Sequence, residues 1–145
     1  YATEYTFSPK GDMNIKAVFV GENEEIEYKV LAEIVATPNP TASSIAFTYA
    51  WSVPEGSGCT FEKAGIILVN ANNYKEDTFY HLTTDTNVTD YAPGSSSQKP
   101  TNSRTTNKTG VSEGETWIGA CWVMYYDQNG ELQTIYSELV TVTNI

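Results

Sequence analysis

The chain has 145 residues and carries eight Lys and Arg against eighteen Asp and Glu, a net charge of −10. That balance, with Arg104 as the one arginine, excludes a nucleic-acid partner, which needs a basic stripe, and an anionic membrane surface, which needs the same. A hydrophobic share of 40% belongs to a folded domain, and the length suits a single domain, residues 1–145, that needs neither disulfide nor metal to hold its core.

Period-two alternation recurs along the chain and helical periodicity does not, so the predicted elements are strands. Ile15, Ala17 and Phe19 open one, the turn Gly21-Glu22-Asn23-Glu24 follows, and Ile26, Tyr28 and Val30 return it as a hairpin with one wet face. The Glu22, Glu24, Glu25 and Glu27 cluster reads as a solvated edge. The returning strand continues to Ala36 and stops at Thr37-Pro38-Asn39-Pro40, where two prolines cannot donate to a ladder. Ile45, Phe47, Tyr49, Trp51 and Val53 then share a face that predicts the clearest core strand, with Trp51 inside. Ala46, Thr48, Ala50 and Ser52 form the opposite face, which is either a shallow groove or ground beneath a covering loop.

A buried strand is expected over 65–69, with Ile67 and Val69 packed between sheets beside Phe47, Tyr49 and Trp51. Residues 92–110 turn to Ser, Thr, Asn, Gly and Pro and are expected to be a long flexible loop. Residues 117–126 make a long strand, Asp127-Gln128-Asn129-Gly130 a hairpin turn, and 132–136 and 139–142 the last strands. The 117–126 run is half of what a membrane span needs, so no membrane insertion is expected. No basic segment followed by an apolar one opens the chain, which starts at Tyr1. The expectation is a segment of a larger multidomain protein with its targeting signal elsewhere. The predicted fold is all-β, a two-sheet antiparallel Ig-like β-sandwich.

Three stretches together carry a resemblance. They are Trp51-Ser52-Val53-Pro54-Glu55-Gly56, then Phe61-Glu62-Lys63-Ala64-Gly65-Ile66, then the aromatic strand from Trp117 with its Asp-Gln-Asn-Gly turn and Gln133-Thr134-Ile135-Tyr136-Ser137. The pattern resembles Ig-like or fibronectin-like modules in surface and secreted proteins of polysaccharide-degrading anaerobic Gram-positive bacteria. The resemblance implies an extracellular, cell-surface or secreted location and raises carbohydrate binding as a function. Its residues are turn and core residues, so it speaks to fold more than to ligand.

Strand 117–126 is apolar on both faces, with Trp122, Met124 and Tyr126 on one and Trp117, Val123 and Tyr125 on the other. A sandwich strand is ordinarily apolar inside and polar outside. Either an insert covers the outer face or its rings meet a ligand, since sugar C–H faces stack on aromatic rings. The candidate carbohydrate-binding residues are therefore Trp117, Trp122 and Tyr126, with Tyr74 and Tyr91 from neighbouring Asn-rich polar stretches. The expected partner is a neutral polysaccharide or oligosaccharide, an α-glucan such as starch ahead of a plant-wall glycan. The alternative is a structural Ig-like spacer or protein-adhesion module.

No cofactor or metal is expected. Cys59, Cys121 and the sole histidine, His81, lack zinc spacing, and 85–90 lacks the glycine and terminal glutamate of an EF-hand loop. Cys59 and Cys121 are either a disulfide or two free thiols in apolar strands. No nucleophile elbow, phosphate loop or His–carboxylate–nucleophile set is present, so an enzyme is not expected.

Overall fold

The computed structural model describes residues 29–81, 86–94 and 98–145. The first expected strand, the acidic turn and the start of the returning strand, up to Tyr28, lie outside those residues. The described strands are β1 (Leu31–Asn39), β2 (Ser44–Ser52), β3 (Thr60–Asn70), β4 (Val88–Tyr91), β5 (Thr101–Thr109), β6 (Thr116–Tyr126), β7 (Leu132–Tyr136) and β8 (Val140–Thr143). One sheet runs β1-β2-β5 and the other β4-β3-β6-β7, with β8 also on β6. Every pairing is antiparallel, which makes the chain an all-β, two-sheet sandwich.

β2 is the central strand of the smaller sheet, and its burial alternates along its length. Ile45, Phe47, Tyr49, Trp51 and Val53 all lie in the core between the sheets. Burial leaves each polar atom needing a partner, and the Trp51 indole N–H finds the Lys99 carbonyl at 2.6 Å.

β1 runs three residues beyond its expected last residue, Ala36, through Pro38 to Asn39. Val53 N–H donates to the Pro100 carbonyl, so Ile45, Phe47, Tyr49 and Trp51, in phase with Val53, turn their backbone groups toward β5. Ser44, Ala46, Thr48, Ala50 and Ser52 then serve β1, opposite Asn39, Thr37, Val35, Glu33 and Leu31. Pro38 opposes Ile45 and points its nitrogen away from β2, where no donor is needed.

The expected loop 92–110 is corrected: its second half is β5, paired with β2 along nine residues. The composition misleads because β5 is an edge strand whose substantial packing is against β2 alone. Its outer face is exposed and its inner face is only half-buried, so no apolar face is required. The backbone ladder holds it, with hydroxyl pairs Thr48–Thr105 at 2.9 Å and Ser52–Thr101 at 3.0 Å.

β3 and β6 are buried on both faces. Ala64, Ile66, Leu68, Cys121 and Val123 face the sandwich core. Ile67 and Val69, expected between the sheets, instead lie on the outer face with Ala120 and Trp122. A β-bulge between Phe61 and Lys63 shifts the phase of β3, a change that apolar content alone does not reveal. The outer face is closed by a cap of residues 71–81, a 3-10 turn followed by the short helix α1 (Glu76–Phe79). Phe79 is fully buried beneath it.

β7 and β8 form one interrupted strand along β6. At the break, Ser137 donates its N–H to the Cys121 carbonyl and accepts the Cys121 N–H on its hydroxyl, both at 2.8 Å. The Asp127 turn forms as expected: Asp127 Oδ1 accepts the Asn129 and Glu131 N–H groups, and Gly130 takes the left-handed φ of 80°. Both cysteines are free thiols.

Candidate functional site

The five aromatic residues singled out from sequence are dispersed. Trp122 is 1% exposed, which withdraws it as a surface ring. Its indole crosses β3 at Gly65, where a Cβ would fall 2.6 Å from the ring and 2.2 Å from the Tyr91 carbonyl oxygen. Beyond Gly65 the indole N–H donates to Asp90 Oδ1 at 2.8 Å. Burial pushes the Asp90 carboxyl above its ordinary value, opposed by that N–H and by Lys63.

Tyr74 is part of the cap, its ring 5.3 Å from that of Phe79. The aromatic chain continues from Phe79 to Tyr80 at 5.1 Å and from Tyr80 to Tyr136 at 4.8 Å. The Tyr136 hydroxyl donates to the Tyr80 carbonyl and ties the cap to β7. The doubly apolar strand is thus explained by a covering insert along most of its outer face.

Trp117 faces inward and packs against the core. Its N–H donates to Glu115 Oε1 at 3.0 Å, and the Lys108 ammonium sits 4.7 Å from its ring centroid. Tyr91 and Tyr126 are exposed, at 37% and 38%. Tyr91 opposes the inward-facing Ile66, whereas Tyr126 opposes Thr60 on the outer face. The two rings are about 20 Å apart along β3 and on opposite faces, so they form no common platform.

Tyr126 stands where the cap ends. By register, Thr60 and Leu132 flank it, and Met124 with Lys63 and Thr134 forms the next row. Leu132 is itself exposed. This uncovered end of the larger sheet offers one ring, two hydroxyls and an ammonium.

Among the described residues, a second open surface is the outer face of the smaller sheet. Ala50 and Ser52 floor a groove between Leu31 and Glu33 on β1 and Thr101 and Ser103 on β5. Leu31 and Val35 are exposed on it. The small-residue face is therefore a groove along this stretch, a feature its composition permitted but did not decide.

Among the described residues no group of three or more His, Cys, Asp or Glu is placed to hold a metal ion. The Cys121 thiol is buried and pushed up to about 12, chiefly by desolvation. Also among the described residues, no helix is long and apolar enough to cross a membrane.

No protein-family model and no curated protein matches the chain. A solved structure described as Northeast Structural Genomics Consortium target SoR45 is similar to it, with 13% identity and a TM-score of 0.42 over 79% of this chain and 83% of that one.

Proposed function

We propose that the chain is a non-catalytic module of a larger bacterial surface or secreted protein and binds a neutral glycan, with Tyr126 as the stacking ring. The observation that carries this reading is the exposed Tyr126 ring at the uncapped end of the outer face, in a row with Thr60 and Leu132. An exposed aromatic ring offers a flat apolar face to a sugar, and Thr60, Thr134 and Lys63 supply hydrogen bonds to its hydroxyls. Of the residues proposed from sequence, Tyr126 stays in the site. Trp122 and Tyr74 serve the cap, Trp117 lies beneath Lys108, and Tyr91 is on the opposite face.

A second reading, a structural spacer or protein-adhesion module, is favoured by a different observation. All three indole N–H groups end on internal acceptors: Lys99, Glu115 and Asp90. No tryptophan is left with its polar edge turned to a ligand.

Titration calorimetry with starch-derived and wall-derived oligosaccharides separates the readings. The glycan reading expects binding that Tyr126→Ala weakens by about 1–3 kcal/mol without changing the melting temperature, and that added salt leaves unchanged. Absence of binding by the wild type, or equal affinity in the variant, leaves the spacer reading.

A further inference from the structure

Edge strands ordinarily carry some device that prevents further pairing, and the described edges do so unequally. β1 places Pro38 among the residues whose backbone points away from β2. β4, β7 and β8 span only four or five residues. Next to β4, the Gln98 side chain closes the β3 edge: its oxygen accepts the Ala64 N–H at 2.9 Å and its nitrogen donates to the Ala64 carbonyl at 3.2 Å. β5 differs from all of them, with nine residues and no proline.

The ladder phase identifies which β5 groups are directed outward. Val53 N–H reaches the Pro100 carbonyl, so by alternation Asn102, Arg104, Thr106 and Lys108 turn their backbone groups to β2. Thr101, Ser103, Thr105, Asn107 and Thr109 turn theirs away. Two short contacts agree with this phase and lie at the ends of the edge. The Ser103 N–H is held by the Asn102 side chain at 2.8 Å, and the Thr109 carbonyl accepts from the Lys108 ammonium at 3.1 Å. Between these ends the backbone of Thr105 and Asn107 faces outward.

The charge on this strand opposes that of the chain. Residues 98–110 contain Lys99, Arg104 and Lys108 and no acid, and β2 beside them contains none, in a protein of net charge −10. Arg104 and Lys108 lie four residues apart on the side of β5 that faces the other sheet, opposite Tyr49 and Ile45, with Lys108 over the Trp117 ring. This is the spacing of alternate-but-one side chains on an added strand.

We infer that the β5 edge is a strand-addition site for an extended acidic peptide segment of a partner protein. The segment pairs with Thr105 and Asn107 through its backbone, and two acidic side chains four residues apart stand opposite Arg104 and Lys108. This inference is independent of the Tyr126 reading, which concerns the other sheet. Cations on an edge also repel a like strand, and the experiment separates the two roles.

The probe is a short Ser/Thr peptide with two glutamates four residues apart, compared with the same peptide carrying lysines. Both are titrated into the full chain and followed by amide chemical shifts. The glutamate peptide is expected to shift the Thr105 and Asn107 amides and slow their exchange. Arg104→Glu with Lys108→Glu should reverse the preference toward the lysine peptide. Each reversed charge alone should weaken glutamate-peptide binding by about threefold to tenfold. Thr105→Pro removes an outward N–H without touching the β2 ladder and should abolish the shifts while the circular-dichroism spectrum is retained. If Thr105→Pro fails to fold, the charge-reversal arm decides alone. Equal or absent binding of the two peptides overturns the inference. So does a concentration-dependent dimer through β5, because the occupant is then a second copy of this chain.

Discussion

Phe79→Ala tests whether the cap is held by one buried ring. α1 is a single turn of four residues, far too short to persist alone. Its attachment depends on Phe79, fully buried against Ile67, Val69, Val88, Ala120 and Trp122. Removing a buried phenylalanine ring costs about 3–5 kcal/mol, transfer and cavity together. The ring contacts with Tyr74 at 5.3 Å and Tyr80 at 5.1 Å, each worth about 0.5–1.5 kcal/mol, are included in that figure. For a chain of this size the loss lowers the melting temperature by about 10 °C or more. Urea unfolding followed by circular dichroism measures the loss, and amide exchange across 74–81 locates it. Phe79 packs on the outer face of β3 and β6, away from the core between the sheets. Exchange should therefore rise most across 74–81, while the strands lose only the protection that follows from the lower global stability. A loss below about 1 kcal/mol, or unchanged exchange across 74–81, would refute the reasoning.

Three further outcomes are expected. Trp51→Ala should cost about 3–5 kcal/mol in urea unfolding and weaken the whole sandwich, because Trp51 is in the core between the sheets. Asp90→Asn keeps an acceptor for the Trp122 N–H and removes a charge that burial disfavours. The folded carboxyl holds its proton more tightly than the unfolded one, so Asp90's contribution rises as pH falls through its folded pKa and levels off below 3.8. Urea unfolding across that interval should show this rise in the wild type relative to the variant. With Cys121 buried and its thiol raised to about 12, a thiol reagent near pH 8 should modify Cys59 alone in the folded protein and both cysteines after unfolding.

The core strand was fully legible, because β2 sits between two neighbours with one face in the core and one in water. Its alternation therefore mapped directly onto burial. β5 was not legible, because an edge strand with one exposed and one half-buried face can have the composition of a loop, and its structure comes from a ladder to a partner far away in sequence. The doubly apolar β6 was recognised and its two faces assigned correctly. Whether a ligand or an insert covered the outer one depended on where residues 71–81 fold, a tertiary fact that strand periodicity does not contain. The polar Asn-rich stretch hid Phe79, the single ring that anchors the cover. Gly65 in an otherwise bulky strand was a readable sign that something crosses there. Of the five aromatic candidates, only Tyr91 and Tyr126 are exposed, because tryptophans in long apolar strands are recruited to packing when an insert is available.

The Gln98 side chain carries a consequence for how this chain can change over evolutionary time. It occupies the place of a neighbouring strand at Ala64 using one residue, and a third contact, to the Pro93 carbonyl, pins the near end of the connection. Next to β4, the β3 edge is therefore terminated by a point and not by a segment. Insertions between Pro93 and Gln98 are predicted to be tolerated so long as a glutamine returns to Ala64. The same connection then leads to Lys99, whose carbonyl holds the Trp51 indole. Length can drift in that stretch while the amide at its end stays fixed, so relatives of this chain should vary most between two positions that scarcely move.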